Sequence, residues 1–136
     1  MKDSEKIKVI LVQPMKTAKV IEIEETLGAM QSVVEGSIEE YMPFEDDVAI
    51  ICNDEGKIKG LDLNRAIYDE EGKIQEIICG TFFLCYAPID SEKFLSMPYD
   101  LLKKYEEKFR YPEQFFKTED GIKAVRVRLK NENLER

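Results

Sequence analysis

The sequence predicts an α+β fold, a mainly antiparallel sheet with about two helices covering one of its faces. Three observations carry this expectation. Short apolar runs of period two recur in hairpin order, bounded by turn residues. Apolar spacing of three and four occurs in only two well-separated segments, which limits the helices to about two. The length, 136 residues, suits one domain with a real core.

Taken in order, Lys6 to Gln13 carries apolar side chains on both faces, Ile7, Val9 and Leu11 against Ile10 and Val12, as an inner strand does, and Pro14 ends it. Ala18 to Glu24 alternates and returns as a hairpin. Thr26 is a good N-cap for a helix to about Glu35, with Leu27, Met30 and Val34 on one stripe and Gly36 as the stop. Ser37 to Pro43 and Val48 to Cys52 read as strands, and Asn53 to Gly56 as a hairpin turn. Lys57 to Leu63 is expected to be a short edge strand, with Asn64 and Arg65 in the loop after it. Ile77 to Tyr86, inside Ile74 to Ala87, is the most apolar stretch and is expected to be one central strand.

Beyond Pro88, Ser96 is expected to cap a helix through Phe109 whose inner face is Leu101, Leu102, Tyr105 and Phe109. Tyr111-Pro112 breaks it, an aromatic segment with Phe115 and Phe116 follows, and Asp120-Gly121 opens a last strand. That strand carries a basic stripe, Arg126, Arg128 and Lys130, and the polar residues 131–136 form a frayed tail.

Composition narrows the chemistry. The chain has no histidine, which removes the usual general base near neutral pH and the commonest metal ligand. Cys52, Cys79 and Cys85 lie inside apolar runs, form no C-x-x-C pair and are expected to be reduced core residues. No Gly-rich phosphate-binding motif is present. These facts point away from an enzyme: no catalytic residue, metal site or cofactor is expected. A charged opening segment and the lack of a long apolar run point to a cytoplasmic protein with no membrane partner.

The net charge of −8 is unevenly spread: Val20 to Glu76 holds sixteen Asp or Glu and four Lys or Arg, leaving the flanks net basic. An acidic middle disfavours direct nucleic-acid binding and suits a basic protein partner. The candidate partner-binding residues are Glu35, Glu39, Glu40, Glu45, Asp46 and Asp47, unless the same charges serve solubility alone. A ligand-binding alternative places a nucleotide-type signal against Asn64 and Arg65, with Tyr41, Tyr68 or Tyr86 as an aromatic wall.

Several pieces fall in a recognisable order: Val20-Ile21-Glu22-Ile23, Thr26-Leu27, Gly36-Ser37-Ile38-Glu39, Ile51 to Lys57, Gly60 to Arg65, and Ile78 to Phe82. This order, spanning Val20 to Leu84, resembles a family of small proteins of unassigned function encoded by phages, plasmids and conjugative elements of Gram-positive bacteria. The resemblance implies a family-like core over residues 20–87 of a single domain, with 88–130 as an extension of helix plus final strand. It also implies a setting in the host bacterial cell. Small acidic proteins of such elements are similar to inhibitors of host defence, including anti-CRISPR and anti-restriction proteins, whose partners process nucleic acid.

Overall fold

The residues with apolar side chains on both faces set the centre of the fold. A computed structural model describes residues 5–128. From edge to edge its main sheet runs β2 (Lys19–Glu24), β1 (Lys6–Val12), β7 (Phe82–Tyr86), β4 (Val48–Asn53) and β3 (Ile38–Tyr41), every neighbouring pair antiparallel. Ile10 lies opposite Leu84 and Leu84 opposite Ile50, so the three inner strands stack their alternation in register.

The two helices lie on opposite faces of this sheet, which corrects the expectation that they share one. Met30 and Val34 of α1 (Leu27–Val34) pack with Ile7, Val9, Ile51 and Phe83. Tyr105 and Phe109 of α2 (Tyr99–Phe109) pack with Ile10, Ile50, Phe82 and Leu84. The reason is in β1, β4 and β7: with both faces apolar, a single cover would leave side chains worth about 1.5–3 kcal/mol each in water. Beside α2, the hairpin β5 (Leu63–Tyr68) and β6 (Ile74–Cys79) adds Ile67 and Ile78 to the same core. A last hairpin, β8 (Glu113–Thr118) and β9 (Gly121–Arg126), follows α2.

The expected central strand is two strands. Gly80, at φ +82°, turns the chain between β6 and β7, and its N–H donates to Asp62 O at 2.7 Å. Lys57 to Leu63 is not an edge strand: residues 54–60 are a run of turns, closed by Lys59 N–H to Glu55 O and Leu61 N–H to Gly56 O, and the strand begins only at Leu63. Asn64 and Arg65 therefore lie in β5 and not in a loop. The Asn53 to Gly56 turn leads into these turns; β4 pairs with β3 and β7, not with the chain that follows it.

Smaller corrections have local causes. Thr26 caps α1 as expected, its Oγ1 accepting from Ala29 N–H, but Leu27 is 56% exposed. Glu35, at φ 62°, takes the left-handed position after α1. Gly36 is needed for a different reason: a Cβ there would stand 2.6 Å from Asn53 Nδ2, which donates to the carbonyls of Val34 and Glu35. Ser96 does not cap α2, whose N-cap is Pro98; its Oγ accepts from Lys8 N–H instead. The aromatic segment is strand β8. Arg126 lies in β9 and the Arg128 guanidinium stands 5.1 Å from the Tyr111 ring centre. Lys130 and the expected tail lie outside the described residues. Among the described residues, no helix is long and apolar enough to cross a membrane.

Candidate functional site

Strand β3 decides where the acidic residues go. Side chains alternate across a strand, and Glu39 and Tyr41 stand opposite Cys52 and Ile50, on the face that carries α2. Glu40 stands opposite Ile51, on the α1 face. The β5–β6 hairpin lies over the α2 face near β3 and β4, and between the two layers is a cleft of about 360 Å³.

Glu39 and Tyr41 form one wall of the cleft, and Glu76 to Cys79 of β6 the other. Its end is the Asp54 to Ile58 turn. Tyr41 is held in place by Gln75, whose Nε2 donates to the tyrosine hydroxyl at 2.8 Å across the two layers. Buried Cys52, Ile78 and Cys79 give it an apolar floor. Gly56 lies so close to β6 that a Cβ would stand 2.9 Å from Cys79 O, so the turn is seated on the hairpin.

Four carboxylates, Glu39, Asp54, Glu55 and Glu76, line the cleft beside one cation, Lys57. Lys57 Nζ lies 2.5 Å from Glu76 Oε1, which also accepts from Ile77 N–H at 3.1 Å. The pair holds the Lys57 pKa above and the Glu76 pKa below their ordinary values, each through this hydrogen bond first. Burial pushes the Cys52 thiol up to about 12, with Glu39, Glu76 and Asp54 adding to the effect. Cys79 is also raised by burial, against the pull of Lys57. Protonated thiols are poor nucleophiles and poor metal ligands. Among the described residues, no group of three or more cysteine, aspartate or glutamate side chains is arranged to hold a metal ion.

The six carboxylates expected to form one partner-binding face are not brought together. Glu35 sits at the end of α1 and Glu45 in the exposed turn before β4. Asp46 accepts from Lys104 Nζ at 2.7 Å and from Tyr105 Oη at 2.8 Å, and these bonds hold its carboxyl below the usual range. Asp46 thereby fastens α2 to the chain ahead of β4. Glu40 and Asp47 line a second groove with Met42 and Phe94. Only Glu39 of the six reaches the cleft.

Asn64 and Arg65 are 0% and 1% exposed. A register shift makes Asn64 the extra residue of a bulge, and its Nδ2 donates to Val12 O and Gly80 O. Arg65 uses all its donor groups internally, on the carbonyls of Phe109 and Lys16 and on Asn64. Of the three tyrosines weighed as an aromatic wall, only Tyr41 lines the cleft. The residues that sequence reasoning passed over are Lys57 and Glu76. Their signal was slight, because the charges of an exposed turn and of a half-buried strand become one site only through the packing of β6 on β4.

A family model described as Domain of unknown function (DUF3846) matches residues 7–110. The match begins before and ends beyond the stretch 20–87, and takes in both helices and every residue lining the cleft. No curated protein and no solved structure matches the chain.

Proposed function

The chain belongs to the DUF3846 family, and from that membership and the cleft we propose a non-enzymatic binding protein that receives positively charged side chains of a protein partner. The observation that carries this reading is the cleft itself: four carboxylates around an apolar floor, of which Glu76 is paired with Lys57 and Glu55 with Lys59, while Glu39 and Asp54 make no ion pair among the described residues. A lysine or arginine side chain has the matching character, an apolar stem with a cationic tip. The buried, protonated thiols and the lack of histidine favour binding over catalysis.

The partner fits a basic protein that processes nucleic acid, whose own anion-binding surface the acidic cleft would occupy. The finer reading is an inhibitor of a host defence protein, anti-CRISPR or anti-restriction in type, made by a phage or mobile element and acting in the host cytoplasm. It is supported by the net charge of −12 between Val20 and Glu76 and by the resemblance carried by the same stretch.

The test is fluorescence anisotropy of a labelled arginine- and lysine-rich peptide at low and at physiological ionic strength. Binding is expected to weaken by about tenfold or more as salt rises, because screening shortens the reach of the carboxylate field. Binding indifferent to salt, or no binding at low salt, defeats the proposal.

A further inference from the structure

We propose that Lys57 is the cleft's internal stand-in for an arginine of the partner, and that this arginine enters beside Tyr41 and displaces Lys57 from Glu76. The inference rests on the binding function proposed above and names the side chain that the cleft selects.

Three features of the cleft support the exchange. Glu76 is the fixed half of the ion pair, since it lies on β6 and its Oε1 is also held by Ile77 N–H. Lys57 is the free half, carried on the run of turns after β4 with its side chain 60% exposed. An ion pair this exposed contributes little to stability and is readily exchanged for another cation. The space it guards is the cleft of about 360 Å³, far more than one ammonium group fills.

The chemistry of the walls favours arginine over lysine. A lysine would replace Lys57 with its equal. A guanidinium is planar, carries five N–H donors and stacks on aromatic rings. Tyr41 offers such a ring, fixed by Gln75, and Glu39 stands two residues before it on the same face of β3. Glu39 lines the same cleft as the Lys57–Glu76 pair and adds a second carboxylate for the guanidinium. Beneath, the Cys79 side chain is 7% exposed and lines the cleft, a soft, apolar floor for the methylene stem.

The experiment is an NMR titration of the ¹⁵N-labelled full chain with N-acetyl-arginine-methylamide and, separately, with its lysine counterpart, on wild type, Lys57→Met and Glu76→Gln. The arginine probe is expected to shift the amides of Asn53 to Ile58 and Ile74 to Cys79 in the wild type, and to do so at lower concentration than the lysine probe. Lys57→Met is expected to bind it roughly threefold to fivefold more tightly, about the factor that an exposed ion pair is worth. Glu76→Gln is expected to lose most of the response, and the dispersion of its spectrum reports whether the fold is kept. Equal affinity for the two probes, or no gain in Lys57→Met, overturns the displacement. If either occurs while the basic peptide still binds with strong salt dependence, the acidic-cleft function stands and only the arginine exchange fails; if the peptide also fails to bind, both fall.

Discussion

Replacing Arg65 with methionine is expected to lower stability sharply without touching the cleft. Phe109 is the last residue of α2, so its carbonyl has no partner within the helix. Arg65 supplies one, donating to Phe109 O from Nε at 3.1 Å and from Nη2 at 3.0 Å, and its cation complements the negative end of the helix dipole. Its Nη2 also donates at 2.7 Å to Lys16 O, in the turn between β1 and β2. One side chain thus ties β5 to both. Methionine keeps much of the apolar bulk but leaves the carbonyls of Phe109 and Lys16 and the side-chain oxygen of Asn64 without this donor, at about 1–3 kcal/mol for each that is buried. Against this, the variant no longer buries a charge, a burden visible in the fall of the Arg65 pKa to about 10 through burial. A net loss of about 2–4 kcal/mol remains. At roughly 3–4 °C per kcal/mol for a chain of this size, Tm falls by about 10 °C in thermal unfolding followed by circular dichroism. Arg65→Lys should recover little of it, because an ammonium cannot bridge the same acceptors. A drop of less than about 3 °C in Arg65→Met would refute the reasoning.

Gly80→Ala should cost about 2 kcal/mol in denaturant unfolding, since the new Cβ would stand 2.7 Å from Leu61 Cδ1 at a φ of +82°; an unchanged midpoint would show that β6 and β7 are not divided as described. Glu113, whose Oε1 accepts from Ala66 N–H at 2.8 Å, has a pKa raised by burial. The native state therefore holds this proton more firmly than the unfolded chain, and stability is lost as pH rises from the ordinary value of 4.5 through the raised native one. Glu113→Gln keeps the acceptor and should flatten the Tm profile across that window; a profile parallel to wild type would contradict this. Cys85 is fully buried and its thiol is pushed well above the ordinary range by burial, so an aromatic disulfide reagent should leave it unmodified in the native protein and modify it after denaturation. Prompt reaction of Cys85 in the native state would show that the sheet face under α1 opens.

The sheet was legible wherever one residue's chemistry was enough. Val9 and Ile10, Ile50 and Ile51, and Phe83 and Leu84 are apolar neighbours facing opposite ways, and such strands must be inner ones. The same logic, carried one step further, calls for a cover on each face, and that step places the helices on opposite sides. The break at Gly80 was hidden because apolar residues continue through it and the sign of φ leaves no trace in an alternation pattern. Asn64 and Arg65 looked like a loop because they are polar; they are buried because their acceptors come from Val12, Lys16 and Phe109, distant in the chain. The cleft was illegible for the same reason. Its acidic residues come from β3, a turn and β6, and only the packing of the second hairpin on the first sheet assembles them.

The central claim is that the cleft between β3 and β6 is where a basic partner binds, and hydrogen–deuterium exchange with and without the basic peptide at low salt tests it most directly. Protection is expected in the segments Asn53 to Ile58 and Ile74 to Cys79, and should vanish when salt is raised. Protection confined instead to the groove of Glu40 and Asp47, or a bound peptide that protects neither cleft segment, would contradict it.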